Sequence, residues 1–438
     1  MSFPKSGMTR EAIGAELEAK RDGDADWRSA KTWSLVYHAR EDVLDVVKDA
    51  YMKFFSENAL NPIAFPSLRR LERDVVSMSA SLFNAPAGAA GSMTSGGSES
   101  LLMAVKAARD WARAERPSVT APEMLLPVTA HPALEKAAHY FDVKAVHIPL
   151  DAGFRADARA ARELVTPNTI LVVGSAPAYP PGVLDPIAEL AALASELGIL
   201  CHVDACLGGF LLPFVERLGR AIPPFDFRVP GVTSLSADIH KYGYAAKGAS
   251  LVLYRNKALR RHQYFSYPDW PGGLYGSPSM TGTRPGGAIA AAWAAIRYLG
   301  EEGYLALART TMETTDKLVR GIAETPGLRM LVAPDMSVFA FTSNVVDVYM
   351  LGEWMEKRGW KLDRQQRPAC LHMMVTPSHA AIVEPFLADL RACMKDLEET
   401  KPLSEGAAAM YGMLGGVSER AMIDGFILDF MDGLDVLE

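Results

Sequence analysis

The chain has little that would tie it to a secretory, membrane-spanning or nucleic-acid-bound role. Its 438 residues hold only four cysteines, Cys201, Cys206, Cys370 and Cys393, and no two of them form a CxxC pair. No disulfide framework or zinc knuckle is expected, and the four read as free thiols of a reducing compartment. No run of five like charges occurs, which excludes a charged interaction tail. Basic residues are outnumbered, 45 against 52, for a net charge of −7. A nucleic-acid binder would show the opposite excess or a basic stripe. No window approaches the roughly 18 uninterrupted apolar residues of a spanning helix. The opening stretch MSFPKSGMTREAIGAELEAKRDGD lacks the apolar centre of a secretory signal. The expectation is a cytoplasmic, soluble protein without a metal.

What is present is ordinary globular composition, 49% hydrophobic and 22% charged. At about 100–200 residues per domain, the length suggests two or three units. Three are expected: a helical arm over 1–60, a large α/β domain over 61–290, and a smaller α+β domain with a helical tail over 291–438. In the arm, Val43, Leu44, Val47, Ala50 and Tyr51 share one helical face. Between about 92 and 285, short apolar runs recur at 124–128, 143–148, 170–173, 199–203, 232–236 and 250–254. Several are separated by helix-length stretches such as Pro186–Leu197. This alternation predicts a mostly parallel sheet with helices on both faces, and ligands at the carboxyl ends of its strands. After Pro285 a long helix leads to strands at 328–332, 338–342 and 371–375 and helices at 347–358 and 380–397.

The chemistry-bearing residues fall at those strand ends. Thr94-Ser95-Gly96-Gly97-Ser98-Glu99-Ser100 opens a helix, where two glycines and a helix N-terminus suit an anion. A plain N-cap by Ser95 or Ser98 is the simpler alternative. Asp204 ends the 199–203 run and has the chemistry to pair with a protonated pyridine nitrogen, although a lone Asp there more often caps a turn. His202 beside it reads as a satisfied core histidine. Lys241, in Ser236-Ala237-Asp238-Ile239-His240-Lys241, is placed to form a Schiff base if burial and neighbouring cations lower its pKa. Taken singly it is an ordinary loop lysine. His131 follows the 124–128 run and is a candidate to lie flat on a cofactor ring, or simply to start a helix. Tyr179 follows the 170–173 run as a proton carrier or a packing aromatic. The order of these signals, each at the end of a successive strand, points to pyridoxal 5′-phosphate on Lys241.

These motifs resemble those of fold-type I enzymes of the group II decarboxylase superfamily, and within it the sphingosine-1-phosphate lyases. The segment 94–100 is similar to that family's TSGGTES, and HVDACLGGF (202–210) and SADIHKYGYAAKG (236–248) look like its stretches. DWPGGLYGSPSMTGTRPGG (269–287) is similar to DWxGGxYxSPxxxGSRPGG, and Tyr411-Gly412-Met413 matches a terminal YGM. The resemblance implies a seven-stranded-type sheet and a homodimer with shared active sites. Lys241 would bind the cofactor, Asp204 pair with its ring nitrogen and His131 stack on it. Gly97, Ser98 and His240 would hold its phosphate, and Thr283 reach the neighbouring subunit's cofactor. Tyr37 and Lys247 match positions that contact a substrate phosphate. Asn61 departs from the pattern, standing where the family's NPLHPDIFPG has His.

The activity implied is retro-aldol cleavage of a phosphorylated long-chain base to a fatty aldehyde and phosphoethanolamine. Lys241, His240 and Tyr179 are the candidates for proton transfer. The alternative is an amino-acid decarboxylase of the same superfamily. A catalytically idle binding protein is a third reading, against which Asp204 and the His240-Lys241 pair argue.

Overall fold

The computed structural model describes residues 3–61, 63–400 and 420–434. The terminal YGM motif and most of the expected helical tail lie outside them. Its centre is a seven-stranded sheet, from β1 (Ala90–Thr94), β2 (Glu123–Pro127), β3 (Lys144–Ile148), β4 (Thr169–Ser175), β5 (Leu200–Asp204), β6 (Ser234–Asp238) and β7 (Ser250–Tyr254). The spatial order is β1-β7-β6-β5-β4-β2-β3. Strands β2 to β6 pair in parallel, and β7 runs antiparallel to both its neighbours. The fold is therefore the α/β, mostly parallel type that the sequence predicts.

Apart from the edge strand β3, both faces of this sheet are buried, which is why its strands read as continuous apolar runs rather than alternating ones. Along β2, Leu125 faces the cluster that holds Val172, Val203 and Leu235. Its neighbours Met124 and Leu126 face the other way, against Leu101, Val105 and Leu134. The one sheet strand without an apolar run is β1, Ala-Gly-Ser-Met-Thr. A Cβ on Gly91 would lie 2.4 Å from Leu253 Cδ2, so close strand packing selects small residues there and erases the sequence signal.

The helix Gly286–Ala323 spans the molecule, with a break at Gly300, whose φ of +55° lies in the left-handed region. Its first part carries the helix Glu41–Lys53, which buries Val43 and Val47. Its far end meets a four-stranded antiparallel sheet of β10 (Leu328–Met330), β11 (Val338–Ser343), β12 (Asp363–Gln365) and β13 (Cys370–Met374), ordered β10-β11-β13-β12. This sheet has its own core around Trp33, Phe339, Phe341 and Phe386. In chain order, between the strands of the two sheets, comes a hairpin unforeseen in the sequence, β8 (Phe265–Tyr267) and β9 (Tyr275–Ser277).

Candidate active site

The carboxyl ends of β4, β5 and β6 open into a cavity of about 310 Å³. Its wall includes Tyr37, His131, Tyr179, Asp204, His240, Lys241 and Lys247. Seven of the eleven residues singled out in the sequence thus meet in one place, although 210 positions separate Tyr37 from Lys247.

Each is set by local structure. Asp204 is the last residue of β5, and its Oδ1 accepts a hydrogen bond from the Cys206 N–H at 3.0 Å. Its neighbour His202 is buried between Ser234 Oγ and Ser236 Oγ, at 2.9 and 3.2 Å, and is a core residue. Lys241 follows β6 by a single turn, and its Nζ lies 3.1 Å from Asp238 Oδ2. His240 Nδ1 donates to the Ala249 carbonyl at 3.1 Å, which leaves Nε2 turned to Asp238 at 3.7 Å. Burial pushes the His240 imidazole below its ordinary value, so it sits neutral. His131 Nδ1 accepts from the Ala133 N–H at 3.1 Å and starts the helix Ala133–Phe141, as the simpler reading also expects.

Lys247 crosses the entrance. Its Nζ donates to the Leu35 carbonyl at 3.0 Å and stands 5.1 Å over the Tyr37 ring. Burial, and then the charge of Lys241, lowers its pKa. Among the described residues no carboxylate pairs with it within 4 Å. Tyr37 itself packs edge-on against Tyr242 at 5.0 Å, and burial raises its phenol well above the ordinary range.

Gly97 and Ser98 are the first two residues of the helix Gly97–Glu115, where N–H groups have no intrahelical partner. A Cβ on Gly97 would lie 2.8 Å from Asp238 Oδ2 and 3.0 Å from Cys206 Sγ, so this turn abuts the floor of the cavity. Glu99 fixes it: Oε2 accepts from Ser95 N–H at 2.6 Å and Oε1 from Met280 N–H at 2.8 Å. Ser98 is exposed and does not line the cavity. Neither do Asn61 and Thr283. Asn61 Oδ1 accepts from the N–H groups of Ile63 and Ala64, closing its own turn, and Thr283 Oγ1 accepts from Asn58 Nδ2 at 3.3 Å.

Two carboxylates of the site carry no assignment from the sequence. Asp238 is spelled out in the same run as Lys241, three residues before it, and that spacing was a usable signal. Asp363 lies 184 positions from its partner Tyr179, and nothing local marks it.

A family model described as the pyridoxal-dependent decarboxylase conserved domain matches residues 25–344. The sphingosine-1-phosphate lyase of Oryza sativa subsp. japonica is 43% identical, with 98% of this chain and 81% of that one aligned. The chain belongs to the sphingosine-1-phosphate lyases of the pyridoxal-dependent decarboxylase family. A solved Burkholderia pseudomallei member superposes with a TM-score of 0.92 at 38% identity, over 100% of this chain and 98% of that one. A Lactobacillus brevis glutamate decarboxylase superposes at 0.81 but with 19% identity, over 92% and 96% of the two chains, so it shares the fold alone.

The family's cofactor is pyridoxal phosphate, and the residues present fit it. A primary amine, a carboxylate at a strand end and a helix N-terminus surround one cavity. Beside Lys241, Asp238 Oδ1 is buried without a hydrogen-bond partner. Among the described residues no helix is long and apolar enough to cross a membrane.

Proposed function

We propose that the protein cleaves the carbon–carbon bond of a phosphorylated long-chain base such as sphingosine 1-phosphate, giving a fatty aldehyde and phosphoethanolamine. One observation carries the substrate class. Lys247 is an ammonium at the cavity wall whose close partners are a carbonyl and an aromatic face, neither of which neutralises it. A substrate phosphate, with close to two negative charges near neutral pH, does so. The amino-acid decarboxylase alternative rests on the shared fold and has no observation of its own here.

Bound pyridoxal phosphate supplies an electron sink conjugated to the substrate amine. The chain's residues do the rest. Lys241 would anchor the cofactor, and its Nζ, in the cavity wall, is a group placed to carry protons. Asp204 spends one oxygen on Cys206 and offers the other to the ring nitrogen. The backbone N–H groups of Gly97 and Ser98 at the helix N-terminus, with His240, would hold the cofactor phosphate, and His131 would cover the ring. Tyr37 and Lys247 orient the substrate phosphate. Tyr179, within the cavity wall, exchanges a proton with the substrate hydroxyl.

The assembly we propose is a homodimer. The β8–β9 hairpin exposes Phe265, Tyr267, Trp270 and Leu274, the last at 90%, and Met280 and Ile63 are exposed as well. An apolar surface of this kind marks an interface. Pairing there would bring Thr283 to a neighbouring site. The free buried thiols support a cytoplasmic location.

The test is incubation with sphingosine 1-phosphate and, separately, with a panel of amino acids. Release of a long-chain aldehyde is the expected result. Carbon dioxide from an amino acid without aldehyde would overturn the reading.

A further inference from the structure

Asp363 lies on β12, in the smaller sheet, yet it holds two hydroxyls of the cavity wall. Tyr179 Oη donates to its Oδ2 at 2.7 Å, and Ser34 Oγ donates to its Oδ1 at 3.0 Å. Tyr179 and Ser34 both line the cavity that contains Lys241. Among the described residues no Lys, Arg or His lies within ion-pair distance of Asp363. Its charge is answered by neutral hydroxyl donors alone.

The support behind Tyr179 is equally specific. His372 is paired across the strands with Asp363 and stacks obliquely on the Tyr179 ring, with centroids 4.1 Å apart. Its Nε2 donates to the Tyr179 carbonyl at 2.9 Å, and its Nδ1 is buried without a partner. Burial lowers the His372 imidazole to about 4, so it is neutral and does not compete for the charge of Asp363. The ring and backbone of Tyr179 are thus fixed by one residue and its hydroxyl hydrogen by another. A phenol oxygen that donates its hydrogen backward keeps its acceptor sites for the cavity.

We propose that Asp363 is a positioning residue that makes Tyr179 a proton acceptor for the substrate hydroxyl. The proposal rests on the lyase reading above. As the hydroxyl proton passes to Tyr179 Oη, the phenol proton passes to Asp363, so the pair gains one proton and Tyr179 never becomes a phenolate. The oxygen's electron pair closes the aldehyde C=O while the Cα–Cβ bond breaks. The electron pair of that bond leaves with the Cα fragment. The proton stored on Asp363 returns through Tyr179 to Cα, which restores both residues. The hydrogen bond matters because burial, and then Asp363 itself, raises the Tyr179 phenol above its ordinary range. An unaided tyrosinate is out of reach there.

The experiment compares wild type, Asp363→Asn, Asp363→Glu and Tyr179→Phe with cofactor bound. Asn keeps the shape of the side chain and removes the proton acceptor. Losing general acid–base assistance costs on the order of 10²-fold in kcat. Asp363→Asn should show that loss with KM unchanged, an increased solvent deuterium isotope effect, and unaltered melting temperature and cofactor absorbance. Glu should restore part of the rate. In a Tyr179→Phe background, Asp363→Asn should cost nothing further. A purely structural role would lower the melting temperature or raise KM and leave the isotope effect alone. Asp363→Asn with kcat within about threefold of wild type overturns the proposal while the lyase reading stands. Should that variant not fold, an unimpaired Tyr179→Phe overturns it instead. A wild type that releases no aldehyde overturns both.

Discussion

Lys241 Nζ and Asp238 Oδ2 form an ion pair at 3.1 Å on the cavity floor, and the aspartate is only 2% exposed. Burial pulls the Lys241 ammonium down, but Asp238, followed by Cys206 and Asp204, outweighs it and holds the group above its ordinary value. An amine is nucleophilic only when neutral. The rate at which the protein captures pyridoxal phosphate should therefore rise with pH. In Asp238→Asn the same rise should occur at lower pH, because the group that stabilises the ammonium has lost its charge. Stopped-flow absorbance after mixing with cofactor measures both profiles. Superimposable profiles would remove Asp238 as the controlling charge.

Lys247→Ala removes the ammonium that stands over the Tyr37 ring at the cavity wall. A charge-assisted hydrogen bond is worth about 1.5–3 kcal/mol, or roughly 10–100-fold in affinity. KM for a phosphorylated long-chain base should rise by that factor, and the unphosphorylated base should be affected far less. Steady-state kinetics with the two substrates separate the cases. Equal effects on both would place the phosphate elsewhere.

Subunit mixing distinguishes residues that act within one chain from those that act across an interface. Lys241 and Tyr37 line the same cavity of one chain. Mixing Lys241→Ala with Tyr37→Phe protomers should give no recovery beyond the parents, because no hybrid contains an intact site. Thr283 lies outside that cavity. Mixing Lys241→Ala with an inactive Thr283 variant should restore part of the activity after subunit exchange. Recovery with the Tyr37 variant and none with the Thr283 variant is the outcome that would reverse this assignment.

Acid should unfold the protein through buried neutral imidazoles. Burial lowers His202, His372 and His379 from the ordinary value of 6.5 to about 4. As pH falls below 6.5 the unfolded chain takes up protons that the folded chain refuses until about 4. Stability is therefore complete above 6.5 and lost toward 4, by roughly 3 kcal/mol per imidazole at the limit. Asp185 opposes this. Burial raises it from 3.8 to about 6, so its protonation favours the fold over that interval and offsets one of the three. Melting temperature should fall between pH 7 and 5, and His202→Asn should flatten part of the slope. A flat profile would mean that these imidazoles are charged in the folded protein.

The sequence by itself determined the layered fold and placed Lys241 just after a strand end, where we propose the cofactor is held. Strands buried on both faces need continuous apolar runs, and four of the five parallel strands declared themselves that way. Ligands sit where such strands end, so Asp204, His240, Lys241 and Tyr179 were legible from their place just after a run. Motif order and family resemblance supplied the rest of that assignment.

What only the tertiary structure decided is where a side chain's hydrogen bonds go. Asn61 and Ser98 have the chemistry of anion ligands, but Asn61 turns its oxygen to its own loop and Ser98 faces outward. The strand Ala90–Thr94 was silent because close packing replaced its apolar pattern with small residues. Asp363 was invisible for a different reason. Its role is a contact between two sheets that the chain reaches 184 residues apart, and no local pattern encodes such a meeting. Residue type and spacing fix which chemistry is available along the backbone, whereas the packing of one layer on another selects which of those groups face each other.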